Sequence, residues 1–292
     1  MTTDVRALAN VACALLLAAC GPIATSGPGC TTELQPTALP DEVRESSGVA
    51  VSLRHPGLFW THGDAGRILL GVARDGTQVA RFRMDTRLRD WEDIALSTCG
   101  DGGSCLYLAD MGDNYEERPY GVIHRLPEPD PDASVDLTTE RFPVRLPDGP
   151  RDVETLLVLP GERVLVVTKG RNHPVTVYRY PGGLRPDTVT LEEVQRLTDG
   201  PRFLPRQVTG GAVSPRGGTV ALRTYESAQF YTVQGDTLAA MDGGLVNLRP
   251  LREAQGEGLG LGLDGLVALT SEAGPAGGSG SVALLRCRLE GL

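Results

Sequence analysis

Apolar residues in this chain fall in short runs, and the three-and-four spacing of a long amphipathic helix is missing. Five runs stand out: Leu58-Phe59-Trp60-Thr61-His62, Cys105-Leu106-Tyr107-Leu108-Ala109-Asp110, Arg163-Val164-Leu165-Val166-Val167-Thr168-Lys169, Thr219-Val220-Ala221-Leu222-Arg223 and Gly265-Leu266-Val267-Ala268-Leu269-Thr270. They are short, rich in large or β-branched side chains and bounded by turn residues, which predicts strands. Each follows a segment of shared pattern: Glu45-Ser46-Ser47-Gly48-Val49-Ala50, Trp91-Glu92-Asp93-Ile94-Ala95, Asp152-Val153-Glu154-Thr155-Leu156-Leu157, Val208-Thr209-Gly210-Gly211-Ala212-Val213 and Gly256-Glu257-Gly258-Leu259-Gly260. Further strands are predicted over residues 68–73, 78–84, 121–126, 141–146, 175–180 and 189–197, although 191–197 also fits about two turns of helix. Pro127-Glu128-Pro129-Asp130-Pro131-Asp132 reads as a solvated connecting loop, because its prolines bar both helix and central strand. Four short strands to a unit, repeated along the chain, predict an all-β fold, a single β-propeller.

Spacing sets the number of units. Ser47, Glu92, Glu154, Gly210 and Glu257 occupy equivalent positions, 45, 62, 56 and 47 residues apart. The 35 residues after Glu257 and the 17 from Cys30 to Ser47 together make one more repeat, so the circle closes with five blades. Six blades are the alternative if one repeat is degenerate. Residues 31–39 then supply the outer strand of the blade whose inner strands come from residues 257–289. Hydrogen bonding across that seam of N- and C-terminal strands removes the free sheet edges.

Composition changes the picture in two respects. The 37 glycines and 21 prolines among 292 residues demand many turns. The formal net charge of −9 argues against a nucleic-acid partner, which would need a basic face.

The apolar run over residues 7–19 is too short to cross a bilayer as a helix but suits a secretory signal. It ends in Leu17-Ala18-Ala19-Cys20-Gly21, which resembles the bacterial lipoprotein signal, whose cysteine is acylated and becomes the new N-terminus. The expectation is a signal peptide over residues 1–19, lipidated Cys20 and a flexible tether over 20–29, and the propeller over 30–292. Such a protein is extracytoplasmic, held on a bacterial membrane in the cell envelope; an ordinary signal peptide cleaved nearby is the alternative. Of six cysteines, Cys13 leaves with the signal and Cys20 takes the lipid, so four remain in an oxidising compartment. Cys99 and Cys105 flank a glycine-rich loop and suit a hairpin staple; Cys30 and Cys287 would join the ends of the domain. No spacing usual for zinc competes.

Trp91-Glu92-Asp93-Ile94-Ala95 followed by Tyr107-Leu108-Ala109-Asp110-Met111-Gly112-Asp113-Asn114 resembles a group of secreted bacterial β-propeller proteins, many uncharacterised. More distantly the chain is similar to phytase-like and lactonase-like propellers. That resemblance implies calcium in the central channel without carrying over a ligand set, and a shared fold does not confer chemistry.

The innermost strand of each propeller blade lines the axial channel, so equivalent positions form a ring. Glu92, Glu154 and Glu257 share one repeat position, and carboxylates converging there repel unless a cation neutralises them. Calcium takes six to eight oxygen ligands, and Asp110, Asp113 and Asn114 would add hard oxygens if their loop folds inward. His62, Lys169 and Arg223 end the following strands near the same mouth and are candidate binding residues. The competing reading is structural: Lys169 and Arg223 neutralise the acids without metal, and residues 110–114 form a turn. GxSxG, HExxH, P-loop and SxxK patterns are all missing. Two functions remain: an envelope-anchored module that binds a protein, peptide or glycan, or a calcium-dependent hydrolase of esters, lactones or phosphates.

Overall fold

The apolar runs form strands buried on both faces, and that two-sided burial builds the architecture. A computed structural model describes residues 29–288; the expected signal peptide and Cys20 lie outside the described residues. The chain starts with β1 (Thr31–Ala38). One unit follows as β2 (Ser46–Val51), β3 (Leu58–Gly63), β4 (Gly66–Ala73) and β5 (Gln78–Leu88), and a second as β6 (Trp91–Thr98), β7 (Ser104–Asp110), β8 (Gly121–Pro127) and β9 (Glu140–Arg145). The third contains β10 (Val153–Leu159), β11 (Arg163–Thr168), β12 (Thr176–Arg179) and β14 (Glu192–Arg196), the intervening two-residue β13 (Val189–Thr190) joining the second unit's sheet. Next come β15 (Val208–Val213), β16 (Thr219–Thr224), β17 (Ser227–Gln234) and β18 (Thr237–Asn247), then β19 (Gln255–Leu261), β20 (Leu266–Glu272) and β21 (Ser281–Arg286). They make five sheets, and the fifth has the order β1-β21-β20-β19. The fold is a five-bladed propeller closed at the predicted seam. There β1 runs antiparallel to β21, with Thr31 opposite Arg286, and the Cys30–Cys287 disulfide joins their ends. Cys99–Cys105 staples the β6–β7 hairpin, as expected. Pro36 is tolerated in β1 because that strand lies outermost in its sheet.

Five apolar clusters fill the five blade interfaces. In β3, Leu58 and Trp60 pack toward the second blade while Phe59 faces the fifth. In β7, Leu106 and Leu108 turn to the first blade, and Tyr107 and Ala109 to the third. Side chains alternating between two interfaces explain why these strands read as continuous apolar runs. Each large side chain so buried contributes about 1.5–3 kcal/mol.

Three features differ from the sequence reading. The expected strand over 189–197 is split: Val189 and Thr190 pair parallel to β9 of the second blade, and β14 completes the third. Leu191, buried between them, marks the crossing from one blade to the next. β17 and β18 were not anticipated. Finally, residues 127–132 are not fully solvated. Glu128 is buried and accepts hydrogen bonds from Ser52 Oγ (2.5 Å), Trp60 Nε1 (2.9 Å) and Ser104 Oγ (2.6 Å). Those donors offset the burial of its charge and tie the first blade to the second.

Candidate functional site

All five inner strands break register near their starts. The irregularities fall between Ser46 and Gly48, Trp91 and Asp93, Val153 and Thr155, Val208 and Gly210, and Gly256 and Leu259. A bulge re-aims the extra side chain out of the ladder. It sets Ser47, Glu92, Glu154 and Thr209 at one height, with Glu257 in the corresponding irregularity. In the fourth blade the equivalent residue is therefore Thr209, not Gly210.

This end of the channel is an acidic mouth. Carboxylate oxygens of Glu92, Asp152 and Glu154, all buried, lie within 4.8 Å of one another. Gly112 permits the approach of the neighbouring loop, since a Cβ there would sit 2.3 Å from Glu92 Oε1 and 2.5 Å from the Asp90 carboxyl carbon. The Asp90 and Glu92 carboxyls thus approach each other beside Gly112, an arrangement that a shared proton or a cation stabilises. Lys169 Nζ donates to Glu154 Oε1 at 2.5 Å and lies 3.7 Å from Asp152 Oδ2. Arg171 is 3.5 Å from the same oxygen, which has no hydrogen-bond partner among the described residues. Glu257 accepts from Gln255 Nε2 at 2.9 Å.

Electrostatics follow from burial. Burial, reinforced by the charge of Glu154, pushes the Glu92 carboxyl well above the usual carboxylate range. Glu154 is raised likewise by burial, against the pull of Lys169. Burial brings Glu257 to about 7, and burial with the neighbouring Glu257 brings Glu272 to about 8. Burial works against the Lys169 ammonium, but Glu154 and Asp152 outweigh it and hold its proton more tightly than in an ordinary lysine.

The remaining expected residues divide into separate groups. Asp110 accepts the N–H groups of Arg89 and Asp90 and pairs with Arg118 at 2.9 Å. Asp113 accepts from the Arg118 N–H and donates its own N–H to Asp152 Oδ1, while Asn114 Oδ1 accepts from Arg171. That loop does fold against the mouth, joined to it through Asp152 and Arg171. Arg223 is fully buried, donating to Glu253 and to the carbonyls of Gly258 and Thr270. His62 lies inside the fold, where its ring stacks on Trp91 with centroids 4.2 Å apart. Burial lowers its pKa to about 4, which keeps it neutral. Gly48 makes room for it, because a Cβ there would meet His62 Nε2 at 2.7 Å.

Sequence reasoning missed Asp90, Asp152 and Glu272. A usable signal existed: Asp90-Trp91-Glu92, Asp152-Val153-Glu154 and Gln255-Gly256-Glu257 all place an acid or amide two residues before the ring glutamate. Below the mouth the Asp93 side chain is buried and accepts the N–H groups of Ile94 (2.9 Å) and Leu156 (2.8 Å) from two blades. The inner strands then end in an apolar mouth lined by Val49, Val51, Ile94, Val158, Val213 and Leu261.

Fold and site together define a five-bladed β-propeller with one acidic and one apolar channel mouth. The chain is similar to an aldose sugar dehydrogenase from Streptomyces coelicolor solved with PQQ bound: 12% identity, 91% of this chain and 99% of that one covered, TM-score 0.51. It is similar also to a glucose dehydrogenase at 13% identity, with 87% and 99% covered and a TM-score of 0.50. A gluconolactonase from Xanthomonas campestris aligns at 15% identity over 92% and 99%, with a TM-score of 0.48. At their identities the two dehydrogenase likenesses establish the fold alone. No family model matches the chain, and no curated protein does.

Proposed function

We propose that this protein is a lipid-anchored module of the bacterial cell envelope, acylated at Cys20, whose acidic mouth binds a cationic ligand. The uncharacterised secreted propellers that share its Trp-Glu-Asp-Ile-Ala pattern are its expected relatives. One observation carries the reading: Glu92, Asp152, Glu154 and Glu257 are buried together, with Lys169, the partly exposed Arg171 and, near Glu257, Arg223 as the counter-charges, the last already paired with Glu253. Unneutralised carboxylates in such a site are costly, so a cation or protons must complete it. The donors are all hard oxygens, and Asp152 Oδ2 is free to accept, which suits calcium more than a softer metal. Glu92, Asp152 and Glu154 would hold the ion, and a basic side chain of an envelope protein or peptide is the alternative occupant.

The test is a calorimetric calcium titration of chelator-stripped protein. Micromolar binding lost in Glu92→Gln and Glu154→Gln is the expected result. No heat and no thermal stabilisation would discard the ion and leave the basic ligand. A second reading, a calcium-dependent hydrolase, is favoured by the same three carboxylates, since the ion they hold would act as a Lewis acid. It requires ester, lactone or phosphate hydrolysis that chelator and Glu92→Gln both abolish.

A further inference from the structure

We infer that the acidic mouth has a second seat, formed by the fifth, first and fourth blades, which holds the lysine ammonium of a partner polypeptide. The inference rests on the reading of this mouth as a site for cations, and it places the partner's lysine beside the ion, not in its stead.

Strand register reveals the seat. Ser46 lies opposite Gly63, Trp91 opposite Asp110, Val153 opposite Thr168, Val208 opposite Thr224 and Gly256 opposite Ser271. One step further on, Asp64, Met111, Lys169, Tyr225 and Glu272 are therefore equivalent. In the third blade this position carries a lysine, whose ammonium meets Glu154 and Asp152. In the fifth and first blades it carries acids, Glu272 and Asp64, which join Glu257 and Glu45. These four acids form no ion pair among the described residues, and Arg223, whose charge reaches Glu257, is held by Glu253 at 2.8 Å. Gln255 Nε2 donates to one oxygen of Glu257 (2.9 Å) and one of Glu272 (2.6 Å). The other Glu257 oxygen has no hydrogen-bond partner among the described residues, although the residue is only 4% exposed. The charge of Glu257 acts on Glu154, Glu272 and Tyr225 alike, which sets it between the two halves of the mouth. The second half thus repeats the acids of the first without its lysine.

The chemistry selects an ammonium. Calcium takes six to eight oxygens, and the Gln255 amide already occupies one on each of two carboxylates here. A lysine ammonium brings three donors on an apolar stem. Glu257, Glu272 and Asp64 supply acceptors, and Tyr225, whose hydroxyl bonds to no described residue, supplies an aromatic ring beside them. Asp64, Tyr225 and Glu272 are half-buried, whereas Glu92, Asp152 and Glu154 are buried. A side chain arriving from solvent therefore meets the second seat first.

The rim points to a polypeptide as its source. Phe203 is 79% exposed and Leu204 70%, at the tip of the loop that leads to β15. The Arg202 N–H ties this loop to the Gly170 carbonyl (2.6 Å), and Arg206 lies 3.8 Å from Glu226. Gly170 and Glu226 directly follow Lys169 and Tyr225, so the tip stands at the edge of the mouth between the third and fourth blades. Arg44, Arg202, Arg206 and Arg252 are exposed around the same rim and would repel a run of basic residues. The occupant that fits is a single lysine next to an apolar residue, the first entering the seat and the second covering Phe203 and Leu204.

The experiment titrates acetyl-Lys-Phe-amide into the full chain at pH 8, without calcium and with calcium at saturation. The norleucine analogue, which keeps the stem and lacks the charge, should bind at least about tenfold more weakly. Glu272→Gln and Asp64→Asn should each weaken the lysine peptide by about tenfold, and Phe203→Ser by about threefold. If one of the two acid variants does not fold, the other decides. Wild-type affinity in the folded acid variants, or equal binding of the norleucine analogue, overturns the seat. Butylammonium binding as tightly as the peptide overturns the polypeptide as partner and makes a small amine the ligand. Saturating calcium should weaken the peptide only to a plateau, by charge repulsion; displacement that grows without limit means one shared seat and overturns the second. Calcium binding without peptide binding overturns this inference and leaves the ion standing. Peptide binding without calcium binding upholds it and removes the ion, and binding of neither overturns both.

Discussion

The two ends of the channel are built from the same five strands and obey opposite rules. Where the inner strands finish, both disulfides close, apolar side chains line the mouth, and the buried carboxylate of Glu128 accepts three hydrogen bonds. Where they begin, every strand is bulged, neither disulfide is present, and buried carboxylates crowd around one lysine. A buried charge that is fully hydrogen-bonded is a structural part. A buried cluster that lacks a full complement of partners is a place waiting for something, and such sites concentrate function. The molecule thus separates holding from binding along a single axis.

The largest effect should come from the held end. Closing a loop of 257 residues restricts the unfolded chain far more than closing one of six. Chain-entropy estimates put the seam disulfide near 5 kcal/mol and the hairpin disulfide near 2. Urea unfolding of Cys30→Ser/Cys287→Ser should show the larger loss, and of Cys99→Ser/Cys105→Ser the smaller. Equal losses would mean that the seam is held by β1–β21 pairing and not by covalent closure.

At the other end, Lys169→Met should cost about 3–5 kcal/mol at pH 8, because it leaves Glu154 and Asp152 buried without their ammonium. The loss should shrink at pH 5, because burial raises the Glu154 carboxyl well above the usual range and lets it take up a proton. A loss below about 1 kcal/mol at pH 8 would show that the lysine is not what balances the cluster.

The contrast between the ends also decides what could be read from the sequence. The held end was legible: apolar runs gave the blade strands, their spacing gave five units, and the leftover cysteines fell at the seam. Those features depend on composition and period, which sequence preserves. The acidic mouth was only half legible. Glu92, Glu154 and Glu257 align by pattern, but a register break decides which neighbours share their height. Hence the fourth blade was read at Gly210, one residue beyond Thr209. Asp152 reaches the cluster from before the bulge, two residues ahead of Glu154 as Asp90 is of Glu92, but Glu272 comes from the adjacent strand, at a distance in sequence that no period predicts. His62 ended a strand in the expected position, yet its ring turned inward onto Trp91, a choice made by the space that Gly48 leaves. β17 and β18 escaped notice because their apolar residues are interspersed with polar ones on the blade's outer strands.

The smallest effect is the most diagnostic, because it separates a mouth completed by protons from one completed by a cation. Burial brings Glu257 to about 7 and Glu272 to about 8, against 4.5 for an ordinary glutamate. The folded state therefore holds these protons more tightly than the unfolded chain. Their contribution to stability is complete below about pH 4.5 and is lost as pH rises toward 7 and 8. Without divalent ions, the melting temperature of the wild type should fall more steeply between pH 5 and pH 8 than that of Glu257→Gln or Glu272→Gln. Calcium held by Glu92, Asp152 and Glu154 should restore the lost stability at pH 8 and do little at pH 5, since the ion's charge and the protons relieve the same crowding of carboxylates. If all three proteins show one slope, the carboxyls are not carrying the protons, and the mouth is already balanced by Lys169 and Arg171. If the slopes differ and calcium changes nothing, the surplus is real and its natural counterpart is an organic cation.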